Sequence, residues 1–173
     1  SCGGPRMIAP TLYTDRLVLR MPQLADFDHH VAFHASPRAA FEGGTKSRKS
    51  AWKIWAGDVA SWALRGYGAF SVEMDGVFVG EVGIYQPDHF PGPEFGWMVT
   101  AAAEGRGIAH EASRAALSWV GSSFDWPYIT SIIDPDNARS IALGLRLGGT
   151  IDRTLPGVDP GDVVIRHDLR GAA

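Results

Sequence analysis

Charged and apolar side chains alternate through Arg16-Leu17-Val18-Leu19-Arg20, the two-residue period of a half-buried strand, and Pro22 closes the run. Leu24, Phe27 and Val31 then recur at helical spacing, with Asp26 and Asp28 in the first turn where the helix dipole favours carboxylates, so a short helix is expected to end near Ser36-Pro37. After the Gly43-Gly44 break and the basic run Lys46-Ser47-Arg48-Lys49, the residues Trp52, Trp55, Val59, Trp62 and Ala63 share one face of a helix that stops at Gly66. The three tryptophans of that face are expected in the core.

Ala69–Met74 and Val77–Tyr85 are β-type runs separated by Asp75-Gly76, the strongest short-range hairpin signal. A proline-rich loop over 87–93 leads to the aromatic, β-branched strand Glu94–Val99. From Ile108 the apolar residues Ala112, Ala115, Ala116, Trp119 and Val120 keep helical period, with Gly121 as the expected stop. Tyr128–Ile133 reads as a strand, Asp134-Pro135-Asp136-Asn137 as a turn, and 138–147 as a helix ended by Gly148-Gly149. Strands over 150–153 and 163–168 flank a final turn. The order β, α, α, β, β, β, α, β, α, β, β predicts an α/β protein with a mixed sheet and interspersed helices.

A chain of 173 residues, 45% hydrophobic and 20% charged, has the composition of one ordinary globular unit. The expected domain runs over 7–173; residues 1–6 precede Met7, a natural start, and are set aside as an added or frayed extension. A net charge of −3 leaves no basic surplus for a nucleic-acid backbone. Scattered histidines and the lone Cys2 give neither a disulfide nor a metal-binding spacing, so no metal is expected. With no apolar run near ~20 residues and no signal-peptide pattern, a cytoplasmic protein without a membrane partner is expected.

Candidate chemistry lies at Glu104-Gly105-Arg106-Gly107-Ile108-Ala109, where a strand passes into a helix. A helix N-terminus carries unpaired N–H groups and partial positive charge, and glycines let an anion approach the backbone. A bare Gly-x-Gly by itself marks a turn more often than a phosphate site. The stretch has neither the Gly-x-Gly-x-x-Gly of dinucleotide sites nor the Gly-Lys-Ser/Thr of a P-loop.

This stretch resembles the pyrophosphate loop, Gln/Arg-x-x-Gly-x-Gly/Ala, of the GCN5-related N-acetyltransferases (GNAT), with Glu104 departing at the position next to Gly105. The likeness extends over Thr14–Arg20, Glu94–Val99, Gly107–Ala112 and Asn137-Ala138-Arg139-Ser140, and is nearest to the branch that acetylates ribosomal-protein N-termini. It implies the GNAT fold, a mostly antiparallel twisted sheet with about four helices, and acetyl-CoA as co-substrate. By residue it implies pantetheine pairing along Trp97, Met98 and Val99, pyrophosphate on the amides of Gly105, Arg106, Gly107, Ile108 and Ala109, a pantetheine contact from Asn137, and a hydroxyl near the sulfur at Ser140. Asn137 also reads as a plain helix cap.

Acetyl transfer needs an uncharged amine and a proton for the departing thiolate. Many relatives supply that proton from a Tyr four residues after the Ser position, which here is Gly144, so Ser140 is the candidate stabiliser of the thiolate. Glu81, on a strand expected to face the acetyl group, is the candidate base, with His89 and His110 behind it. The leading expectation is N-acetylation of a primary amine, such as a protein N-terminus, by direct attack. A small amine (polyamine, amino acid or antibiotic) as acceptor, or a CoA-binding sensor without turnover, are the alternatives. The tryptophan-rich helix leaves a homodimer open.

Overall fold

The computed structural model describes residues 8–170. Residues 1–6 and Met7 lie outside that range. The first strands, β1 (Leu12–Tyr13) and β2 (Leu17–Arg20), form a hairpin whose opening two residues the alternation had not marked. A 3-10 turn at Leu24–Asp26 leads into α1 (Phe27–His34). A second 3-10 segment, Pro37–Phe41, is capped by Ser36. Helix α2 (Arg48–Arg65) starts where the Ser47 side chain accepts from the Ser50 N–H and ends at Gly66.

Trp55 and Trp62 are buried, but Trp52 is 45% exposed, so only two of the three tryptophans reach the core. Trp52 instead stands edge-on to Phe27 at the rim of the α1–α2 contact. The helix is 18 residues long and docks on two different neighbours along its length, so its buried face drifts away from that position.

Strands β3 (Ala69–Met74) and β4 (Val77–Tyr85) form the expected hairpin, with Asp75 at φ 52° and Gly76 at φ 75° in the turn. Two consecutive positive φ values are what a two-residue turn of the primed type demands, and Asp-Gly tolerates them. Next come β5 (Glu94–Val99), α3 (Ile108–Ser123), β6 (Tyr128–Ile133), α4 (Ala138–Arg146), β7 (Thr150–Ile151) and β8 (Val163–Asp168). Helix α3 runs past Gly121, which is not its stop: a Cβ there would lie 3.2 Å from the Leu169 carbonyl oxygen, so the glycine admits the C-terminal segment.

The eight strands form one sheet in the order β1-β2-β3-β4-β5-β6-β8-β7, antiparallel throughout except β5 beside β6. That parallel pair registers only at Glu94 and Thr130, after which the two strands part. Ser131 holds the apex of the split: its hydroxyl donates to the Phe95 carbonyl at 2.6 Å and lies 2.9 Å from His167 Nε2. The core packs α3 through Ile108, Ala112, Ala116 and Val120 onto Phe70, Val72, Val82 and Phe95. Helix α3 thereby points its N-terminus at the end of β5, beside the split, and α4 starts on the far side of the gap.

Candidate active site

A cleft of about 360 Å³ opens at the split, bounded by Trp97, Met98 and Val99 of β5, the start of α3, and Asn137, Ser140 and Leu143 of α4. The loop before α3 carries Gly105 at φ 72° and Gly107 at φ 73°, left-handed conformations that favour glycine. A Cβ on Gly105 would meet nothing within 4 Å, so the backbone lies open on that side. The first helical hydrogen bond is from the Glu111 N–H to the Gly107 carbonyl, which leaves the amides of Ile108, Ala109 and His110 without a helical carbonyl to bond.

Two contacts hold this amide nest in place. Glu111 accepts from the Thr14 hydroxyl at 2.7 Å and from Arg16 Nε at 2.7 Å, and Arg16 also donates to the Arg106 carbonyl, so the first hairpin latches the helix start. Burial works against the Glu111 charge, but these bonds outweigh it and hold its carboxyl below the ordinary range. On the opposite side Glu104, which sits at the family's Gln/Arg position, pairs with Arg139 at 3.1 Å and with Arg38. Hydrogen bonding to Arg139, and then to Arg38, lowers its pKa. The carboxylate is thus neutralised where an uncompensated one would repel a phosphate.

Arg38 also donates to the Val99 carbonyl at 2.7 Å, tying the end of β5 to the segment after α1. The Arg106 side chain turns toward Met74 and does not line the cleft. Asn137 accepts from the Ser140 N–H at 3.2 Å, so it caps α4, and it also lines the cleft. Gly144 lies outside the lining: a Cβ there would sit 2.6 Å from Ile165 Cδ1, because α4 packs against β8 at that point.

A second cleft, about 460 Å³, shares Phe33, Phe41, Glu42, Trp97 and Met98 with the first. Glu81 stands in it, 7% exposed, with Oε2 3.7 Å from His30 Nδ1. His30 is 5% exposed, and neither ring nitrogen has a hydrogen-bond partner among the described residues. His34, its ring 4.5 Å from that of His30, is pushed down to about 4 by burial and by the neighbouring His30 and Lys46, so it is uncharged at neutral pH.

Burial, reinforced by the charge of Glu81, pushes the Asp58 carboxyl up to about 7. Burial also carries Glu94 to about 8; a hydrogen bond from the Ile132 N–H opposes this, and Glu42 and Asp58 add to it. The Tyr85 hydroxyl is raised by burial and by the same carboxylates.

All the sequence-marked residues except the Arg106 side chain therefore lie on one or other cleft, Glu81 and His89 on the second and the rest on the first, with Trp97 and Met98 common to both. His110 lines the first cleft and His89 the rim of the second. Unmarked by the sequence were Arg38, Arg139, His30, His34, Asp58 and the role of Glu94. The adjacency of Glu94 to an apolar strand was the one available sign. Among the described residues no group of three or more metal-ligating side chains is placed to hold an ion, and no helix is long and apolar enough to cross a membrane.

The sequence profile of the acetyltransferase (GNAT) domain matches residues 16–150. An acetyltransferase from Agrobacterium tumefaciens str. C58 is 38% identical, with TM-score 0.88 over 92% of this chain and 94% of that one. A Salmonella typhimurium acetyltransferase that modifies the N-terminal serine of ribosomal protein L7/L12 is 16% identical, with TM-score 0.67 over 90% and 96%. The aminoglycoside acetyltransferase AAC(6')-Ib, solved with coenzyme A, is likewise 16% identical, with TM-score 0.73 over 88% and 94%; both share the fold. By its matched domain, its split sheet and its amide-lined cleft, this chain belongs to the GNAT family of acetyl-CoA-dependent acetyltransferases.

Proposed function

We propose that the protein transfers the acetyl group of acetyl-CoA to a primary amine by direct attack, the donor lying in the first cleft and the acceptor in the second. One observation carries this reading: an amide-lined cleft and a carboxylate-lined cleft meet along Trp97 and Met98 of β5. The residues present suit the donor, since the open amides of 105–109 accept a pyrophosphate without further side-chain charge, and the β5 backbone faces the gap where a pantetheine amide would pair. Acetyl-CoA supplies an activated thioester.

This chain's residues manage the protons. An amine arrives as an ammonium ion, and Glu81, with His30 beside it, takes one proton to free the nitrogen lone pair. As the C–N bond forms and the C–S bond breaks, the nitrogen loses its second proton and the sulfur gains one. Ser140 lines the first cleft from the first turn of α4, which supports it as the hydroxyl that hydrogen-bonds the departing thiolate, whereas position 144 is turned into the α4–β8 contact. Asn137 holds that turn by its cap.

CoA release scored against a panel of amines and peptides tests the reading, with Glu81→Ala and Ser140→Ala as controls. Turnover with at least one amine, depressed in both variants, is expected. A protein that binds acetyl-CoA yet releases no CoA with any acceptor is a sensor, and the proposal fails.

A further inference from the structure

The second cleft is unusual in the molecule for its charges. Elsewhere most of the carboxylates have arginine partners: Asp26 and Glu73 share Arg20, Asp28 has Arg48, Glu104 has Arg38 and Arg139, Glu111 has Arg16, Asp125 has Arg170, and Asp152 and Asp168 share Arg166. In the cleft, Asp58, Glu81 and Glu94 stand in the interior, Glu42 lies exposed at its edge, and Asp134, Asp159 and Asp162 come from the loops after β6 and before β8. Among the described residues the one Lys or Arg lining it is Lys46, whose ammonium is already engaged by the carbonyls of Glu42 and Gly44.

Carboxylates crowded out of water are costly as anions and hold their protons unless something positive joins them. A second observation points to what that is. His30 lines the same cleft, 95% removed from solvent and with both ring nitrogens unpartnered among the described residues, and His34 beside it has its buried Nδ1 unpartnered. Buried polar atoms are normally satisfied, and those left open inside a cavity mark a ligand's place. His34 is uncharged at neutral pH and adds no positive charge of its own. Phe33, Phe41 and Phe90 supply faces suited to the methylenes and charge of an aliphatic ammonium.

We propose that the acceptor is a small dicationic amine, one nitrogen delivered to Glu81 and His30 and the second held by the rim carboxylates Asp134, Asp159 and Asp162. The inference rests on the acetyltransferase reading and narrows it to a class of acceptor. A mono-ammonium compound answers the interior acids alone. A second cation answers the rim as well, so the rim selects for charge number rather than for side-chain shape. A cleft of about 460 Å³, lined by both acid groups, suits a small linear molecule that carries a charge at each end.

The test compares kcat/KM for butylamine, 1,4-diaminobutane and a tripeptide bearing an N-terminal ammonium and an apolar second residue, all at saturating acetyl-CoA. The diamine is expected to exceed the monoamine and the peptide by about 10- to 100-fold, the worth of one charge-assisted hydrogen bond. In the double variant Asp134→Asn with Asp159→Asn, the diamine-to-monoamine ratio is expected to collapse toward one through a higher KM for the diamine. Asn at 134 retains an oxygen for the Asp136 N–H that Asp134 now accepts, and acetyl-CoA affinity measured by calorimetry on the same samples reports that the variant is folded. Equal use of the monoamine and the diamine, preference for the peptide, or an unchanged ratio in the double variant overturns the inference and leaves the acetyltransferase reading standing. No CoA release with any amine overturns both.

Discussion

The two clefts that meet at Trp97 and Met98 treat a carboxylate in opposite ways. On the donor side Glu104 is held between two arginines and Glu111 between Thr14 and Arg16, so backbone amides dominate what a ligand meets. On the acceptor side Asp58 and Glu94 have no arginine among the described residues and keep protons to about 7 and about 8. The same side-chain type is neutralised within the protein in one case and left for a partner to neutralise in the other. On the proposed reading, a polyanionic donor and a cationic acceptor therefore bind a few residues apart without each site spoiling the other.

The comparison breaks most decisively at Glu81. Glu81→Ala is expected to lower kcat by about 100-fold or more, the usual worth of a general base, while the calorimetric affinity for acetyl-CoA stays the same. Unchanged turnover removes Glu81 from the reaction and leaves the acceptor cleft as a charge cage only.

On the donor side, Gly107→Asp places a side chain at φ 73° and a negative charge beside the open amides. Acetyl-CoA affinity is expected to fall by at least about tenfold, roughly the 1.4 kcal/mol that separates tenfold steps. Undiminished binding shows that the phosphates lie elsewhere.

The acid cleft also makes the stability of the fold depend on pH. Glu94 holds its proton to about 8 when folded and releases it near 4.5 when unfolded, so its contribution is present at low pH and lost as pH rises through 8; Asp58, at about 7 against 3.8, acts in the same direction. His34 and His167, both about 4 when folded, lose stability for the native state only as pH falls below 6.5. Between pH 6.5 and 8 the acids alone operate, and Tm should fall by several degrees, Glu94 accounting for about 2 kcal/mol. Glu94→Gln should flatten that slope; a Tm that rises over the window contradicts the assignment of uncompensated acids.

The smallest expected effect is that of Ser140→Ala. A roughly tenfold loss of kcat with little change in acetyl-CoA affinity is anticipated, since the variant keeps the backbone N–H that Asn137 caps and water can take the place of the hydroxyl.

Much of the fold was legible because it is written locally. The Asp75-Gly76 turn, the strand Glu94–Val99 and the start of α3 at Ile108 each follow from turn chemistry or a short period. The errors come where neighbours distant in sequence decide. Trp52 shares a helix face with Trp55 and Trp62 but extends past the packing partner, and Gly121 serves Leu169 rather than ending a helix. Likewise Gly144 looked like a lost tyrosine, whereas the fold uses it to bring α4 onto Ile165.

The sequence by itself determined the candidate anion-binding end of the site, because helix start, glycines and amides are contiguous between residues 104 and 109. Only the tertiary structure decided how Glu104 is neutralised, since Arg38 and Arg139 lie 66 and 35 residues away along the chain. It also decided the character of the acceptor side: His30, Asp58, Glu81, Glu94 and Asp159 belong to five separate segments and look individually like solvated charges. Charge interacts through space at close range and low dielectric, which no spacing along a strand records. A backbone nest is a property of a segment; an electrostatic cavity is a property of the fold.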